Sequence, residues 1–139
     1  MKSLSEEIIK SSNGNCDIIN ITDDVIETLR KFEVKDGLCT IFSIGSTAGI
    51  TTIEYEPGLI KDLPKLLDKI IPSGVRYHHD DTWGDGNGHA HLRSALFKTS
   101  LSVPFVKGDL TLGTWQQIIL VDFDNRKRTR RIVVQFIGE

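Results

Sequence analysis

Trp115-Gln-Gln-Ile-Ile-Leu-Val-Asp-Phe123-Asp-Asn-Arg-Lys-Arg-Thr-Arg-Arg131-Ile-Val-Val-Gln-Phe-Ile137 is the stretch whose reading decides the fold class. It contains two runs rich in β-branched and aromatic residues, 115–123 and 131–137, separated by Asp124-Asn125 and a basic tract. Runs of that composition read as strands, and the polar dipeptide between them reads as a hairpin turn. Working backward, Leu101 to Val106 and Leu110 to Leu112 carry the same character, so the C-terminal half is read as strands.

The N-terminal half adds helices. Residues 16–21 form a short strand that enters a helix. Thr22 is placed at its N-cap, Asp23 and Asp24 in its first turn, and Val25, Ile26, Leu29 and Phe32 on its buried stripe. Leu38 to Ile44 is a continuous apolar run with a glycine at each end, as in a central strand, and Ile50 to Tyr55 resumes β character. Leu59, Ile60, Leu63, Leu66, Leu67, Ile70 and Ile71 follow at helical spacing, with Pro64 placing the helix start near Leu63 or kinking it. The simplest arrangement is a mixed α+β sheet with helices on one side.

Composition bounds the class. There are 139 residues, 39% hydrophobic, with 17 Lys plus Arg against 19 Asp plus Glu. A chain of this size buries roughly two thirds of its unfolded surface, enough for a core without disulfides. No apolar run is long enough to cross a membrane, and a net charge of -2 lacks the basic footprint of a nucleic-acid binder. Cys16 and Cys39 are too few for a disulfide framework or a four-thiolate zinc site and read as buried packing thiols. Acidic residues stand where a signal peptide needs its apolar stretch, so the expected compartment is the cytoplasm.

The chemistry concentrates in one window. All four histidines, His78, His79, His89 and His91, lie between positions 78 and 91, together with Asp80, Asp81, Asp85 and Trp83. Imidazole nitrogens and carboxylate oxygens are the donors that divalent metals take; a solvated polar loop is the alternative. Leu92, Ala95 and Leu96 suggest a helix beginning near Asn87, on which His89 and His91 diverge by ~200°. His91 then points into a pocket and His89 stands at the rim.

Three further constellations bear on a site. In Gly45-Ser46-Thr47-Ala48-Gly49, small residues allow close approach and two hydroxyls can donate to an anion, although the stretch also reads as a tight turn. Glu54 is a lone carboxylate in an apolar stretch; on a buried strand it needs Arg93, Arg76 or a metal, and otherwise it faces solvent. After Gly113, Trp115 offers a rigid surface and Gln116 or Gln117 a hydrogen-bonding amide, unless packing alone explains the tryptophan. The Arg126 to Arg131 run is a solvated hairpin or supplies one or two arginines to a neighbouring subunit's phosphate site.

Tyr77-x-His79, Asp85-Gly-Asn87-Gly-His-Ala-His91-Leu, Ser100-Leu-Ser-Val-Pro104 and Gly108-Asp-Leu-Thr-Leu-Gly113-Thr-Trp115-Gln116, followed by the basic tract and a strand, together resemble the YjbQ-like family. Members are often labelled secondary thiamine-phosphate synthase, and the likeness covers nearly the full chain. It implies one compact α+β domain over 1–139, with a mixed, mostly antiparallel sheet and helices packed on it, assembled as a homotrimer with a site at the subunit boundary. The implied activity is a weak, metal-assisted joining of a pyrimidine pyrophosphate to a thiazole phosphate with release of pyrophosphate. Carried over by position, His79, Asn87, His91, Glu54, Thr47, Trp115 and Gln116 match the family's pattern; with the readings above, Glu54, Asn87 and His91 are the expected catalytic residues, and Ser46, Thr47, Trp115, Gln116 and Arg128 the expected substrate-binding ones. His79, Asp85, His91 and His89 hold a divalent metal, zinc or magnesium. The alternative is a non-catalytic trimer that binds a divalent metal or a small phosphorylated ligand; nucleic acid and membrane are not expected partners. The chain departs from the pattern at Gly45, where many members have His, and at Ile53, where they have Asn. A candidate metal or base ligand is therefore missing, for which His89 or His78 could substitute.

Overall fold

In a computed structural model, which describes residues 1–139, none of Ile118, Ile119, Leu120 and Val121 has solvent-exposed surface. Side chains alternate along a strand, so a continuous buried apolar run needs cover on both faces. Ile118 and Leu120 point into one core with Val25, Ile41, Val103 and Phe136. Ile119, Val121 and Phe123 point into a second core with Leu67 and Ala90. The rest of the chain supplies those two covers.

The elements run β1 (Lys2–Ser12), β2 (Asp17–Asn20), α1 (Thr22–Arg30), β3 (Gly37–Ser43), β4 (Ala48–Glu54), α2 (Pro57–Ile70), α3 (His79–Thr82), α4 (Gly88–Phe97), β5 (Ser100–Val106), β6 (Asp109–Leu110), β7 (Gln116–Asp122) and β8 (Arg128–Gly138). They form a compact α+β domain with two antiparallel sheets, ordered β1-β8-β3-β5-β6 and β2-β7-β4. The larger sheet covers one face of β7, and α2 and α4 cover the other. The expected single mixed sheet is thus replaced by two antiparallel ones, and the hairpin expected at Asp124-Asn125 does not form. The chain there crosses from the small sheet to the large one, because β7 must be buried on both sides while β8 buries only alternate residues, Arg130, Ile132, Val134 and Phe136.

Several local expectations are also revised. β1 pairs with β8 over eleven residue pairs, yet its polar composition conceals the strand. Thr22 does not cap α1: its hydroxyl donates to Asn20 Oδ1 and accepts from Ile118 N–H at 2.8 Å, tying the helix start to β7. Pro57 is the first residue of α2, and Glu56 caps the helix by accepting from Gly58 and Leu59 amides. Pro64 is carried within the helix. Cys16 and Cys39 are buried and unpaired as expected, with burial raising their thiols to about 11 and about 12. No helix is long and apolar enough to cross a membrane.

Gly49 has a different role from the one expected. A Cβ there would lie 2.7 Å from Phe97 Cβ and 3.2 Å from Lys98 O, so its smallness lets α4 lie directly on β4 rather than admitting a ligand. Ser94, buried on α4, adds a hydrogen bond from its hydroxyl to Ala48 O. Gly49→Ala is expected to force α4 off β4 and destabilise the fold by about 1–3 kcal/mol, read as a lowered urea midpoint at unchanged slope.

Candidate functional site

The crossover from β7 to β8 is built on two fully buried carboxylates, Asp122 and Asp124. Arg130 returns from β8 and grips Asp122 through both oxygens, Nε to Oδ2 at 2.8 Å and Nη2 to Oδ1 at 2.6 Å. Its Nη2 also donates to Thr47 Oγ1 at 2.7 Å, and Thr47 Oγ1 in turn donates to Asp124 Oδ2 at 3.2 Å. Asp124 further accepts from Arg128 Nε at 2.9 Å, Asn87 Nδ2 at 3.2 Å and the Asn125 amide at 2.8 Å. Burial alone would raise the Asp124 carboxyl, but the Asn125, Asn87 and Arg128 donors outweigh it and hold the group at about 2.

This network forms one wall of an open cleft of about 400 Å³. Gly45, Ser46 and Thr47 border it before β4, His91 projects from α4, and His79, Trp83 and Asp85 approach from α3 and the loop after it. The His79 and His91 rings lie side by side, centroids 4.5 Å apart and tilted by 36°. Burial lowers the His91 imidazole below its ordinary value, and His79 beside it lowers it further. His79 Nδ1 stands 3.5 Å from Asp85 Oδ1 without forming a hydrogen bond. Trp83, 74% exposed, stands at the mouth.

The structure brings together Ser46, Thr47, His79, Asp85, Asn87, His91 and Arg128 from the expected set. It does not bring Glu54, Trp115 or Gln116 to the same place. Glu54 pairs with Gln116 six residues along the ladder from the Ala48–Asp122 pair, roughly 20 Å away within one chain. Glu54 faces solvent and lacks the partner a buried strand would have required: Arg93 is committed to Asp68 and Ile71 O, and Arg76 to Asp81. Gln116 closes its own turn, accepting from Gly113 N–H and donating to Thr52 Oγ1, and Trp115 is 72% exposed.

The expected metal donors do not fit a zinc-type centre. No three His, Cys, Asp or Glu side chains converge on one point, whereas zinc requires three or four protein donors. His89, expected at the rim, is 5% exposed on the inner side of α4, where burial and Arg93 lower its imidazole. His78 is fully exposed. Neither replaces a donor at position 45.

Asp122, Asp124 and Arg130 escaped the sequence reading, although a signal existed. Asp122 closes a continuous apolar run, so a buried carboxylate there needs a partner even more than Glu54 does. By composition alone the basic tract suits an exposed hairpin or another subunit's phosphate site. Alternation along β8 instead turns Arg128 and Arg130 toward their own chain's cleft.

The fold and the cleft define a small α+β domain of two antiparallel sheets with an arginine- and histidine-lined pocket where the chain crosses between them. The chain belongs to the UPF0047 family: the family model for UPF0047 protein YjbQ-like matches residues 6–139. It is 40% identical over 129 residues to a UPF0047 protein of Archaeoglobus fulgidus, covering 93% of this chain and 98% of that one. It is 33% identical over 124 residues to UPF0047 protein YugU of Bacillus subtilis, covering 88% and 90%. Among solved structures, a YbjQ-like protein of unknown function from Sulfolobus solfataricus P2 matches with a TM-score of 0.94 at 33% identity over 99% of each chain. A hypothetical protein from Aeropyrum pernix K1 matches at 0.88 and 29% identity over the full length of both.

Two stability outcomes follow from this geometry. Arg130→Met strands Asp122 in the interior and is expected to cost about 3–5 kcal/mol in chemical denaturation. His89 and His91 have folded-state values below 6.5, so the unfolded chain binds more protons just below that pH. Their contribution is complete above 6.5 and is lost as the pH falls through the lowered folded values; Asp124 adds a separate loss on approach to about 2. Urea midpoints on either side of 6.5 should therefore fall with acidification, and less steeply in His89→Gln.

Proposed function

We propose that the cleft binds a small phosphorylated ligand and supports the weak joining of a pyrimidine pyrophosphate to a thiazole phosphate. The observation that carries the reading is Arg128. Its guanidinium is anchored by Asp124 on one edge, Nε at 2.9 Å and Nη2 at 2.7 Å, while the side chain keeps 34% of its surface exposed beside His79 and His91. A guanidinium held along one edge presents its remaining N–H groups in a fixed direction, which suits phosphate oxygens.

In the joining reaction the thiazole nitrogen attacks the methylene carbon of the pyrimidine, a C–N bond forms, and the C–O bond breaks with its electron pair leaving on pyrophosphate. No proton need move to or from the nucleophile. The requirement is stabilisation of charge on the departing oxygens, for which Arg128 and a neutral His91 N–H, both lining the cleft, are the candidate donors. Asn87 donates its amide to Asp124 and so acts as a positioning residue for the arginine rather than on reacting atoms.

A homotrimer is part of the same proposal. Because Glu54, Trp115 and Gln116 are roughly 20 Å from the cleft of their own chain, they can join a site only across a boundary between copies. The second reading, a binding protein without turnover, is favoured by Gly45, which leaves no side chain where a third cleft imidazole could stand.

Coupling of the two thiamine precursors by wild type, His91→Ala and Arg128→Gln, with phosphate affinity measured alongside, tests the reading. A rate drop of roughly 10²-fold in His91→Ala and a phosphate affinity weakened about tenfold or more in Arg128→Gln are expected. Both should persist after chelator treatment, given the donor geometry. Equal trace rates in wild type and His91→Ala with phosphate still bound would leave the binding-protein reading. In a trimer, mixing Glu54→Gln with His91→Ala chains should restore part of the rate that each lacks alone.

A further inference from the structure

We propose that Gly45 makes the cleft selective for an anion of two adjacent phosphoryl groups, by uncovering Arg130 as a second guanidinium beside Arg128. The inference rests on the phosphate-binding reading above and specifies which phosphorylated ligands the site takes.

Arg130 is 6% exposed, and its Nε and Nη2 are fully engaged by Asp122 and Thr47. Its Nη1 donates to no group in the chain, yet it is not among the buried atoms left without a partner, so it retains solvent-accessible surface. The opening is at Gly45. A Cβ built there would stand 3.3 Å from Arg130 Nη1 and nothing else would lie within 4 Å, so any side chain at this position would sit over that nitrogen. Gly45 also has φ of +133°, a conformation that other residues rarely adopt, and both Gly45 and Arg130 line the cleft.

Arg128 and Arg130 are two apart on β8 and share a face, which puts their backbones roughly 7 Å apart. Each is held by a fully buried aspartate, Asp124 and Asp122, and each keeps Nη1 unpaired within the chain. The aspartates cancel the net charge of the two guanidiniums, so retention of an anion rests on directed N–H donors rather than on overall potential. One phosphoryl group engages one arginine; a diphosphate reaches both. Ser46, exposed next to Gly45, adds a hydroxyl at the same rim.

Calorimetric titration of inorganic phosphate and of pyrophosphate into wild type, Gly45→Ala and Arg128→Gln, all in chelator, tests this. Pyrophosphate is expected to bind wild type at least about tenfold more tightly than phosphate, the order of one added charge-assisted hydrogen bond. Gly45→Ala should abolish most of that preference while phosphate affinity stays within about threefold. A wild-type ratio near one, or a preference unchanged in folded Gly45→Ala, overturns the inference. Should the positive φ keep Gly45→Ala from folding, the Arg130 Nε–H resonance of the wild type decides: it should shift with pyrophosphate and not with phosphate, and no shift with pyrophosphate refutes the role of Arg130. Absence of any Arg128-dependent phosphate binding would instead remove the underlying phosphate reading.

Discussion

Two carboxylates with no exposed surface, Asp122 and Asp124, hold the point at which the chain leaves one sheet and enters the other. Ionised groups in an interior are tolerated only when paired and hydrogen-bonded, and here each aspartate is met by an arginine from the strand that follows. The same contacts that make the burial tolerable also fix the angle between β7 and β8. Thr47, just before β4, is shared between the two pairs and ties that strand to the crossover.

The site is a consequence of that solution. An arginine that must satisfy a buried aspartate is held along one edge, and the other edge is left facing the cleft in a set direction. Asn87 reaches the same carboxylate from the start of α4, so the helix that carries His91 is registered against the arginines. Gly49 and Ser94 complete the registration by drawing α4 onto β4. Removing one member therefore disturbs both stability and the geometry of the pocket.

Charge is balanced over the whole chain and balanced again inside the cleft, where two aspartates offset two guanidiniums. Burial, and then the neighbouring His79, favour the neutral ring of His91, so it contributes an N–H donor rather than added charge. Recognition in such a cleft depends on where N–H groups point. That is why the side chain missing at Gly45 matters: it decides whether one arginine or two can be reached.

Strand and helix composition, the buried thiols and the clustering of His79, Asn87 and His91 were legible in the sequence, because each rests on local periodicity or on residue types gathered in one short window. β1 was not legible, since Lys2 to Ser12 reads as polar until β8 pairs with it. Nor was the separation of Glu54 and Gln116 from the cleft, which is set by register along the β4–β7 ladder. The sequence by itself determined that Ile118 to Val121 would form a strand and that His79, Asn87 and His91 would lie in one short segment. Only the tertiary structure decided that β7 and β8 belong to different sheets and that Arg128 and Arg130 turn inward. Local pattern records which faces are apolar, whereas the partners of buried charges are chosen by strands brought together across the fold.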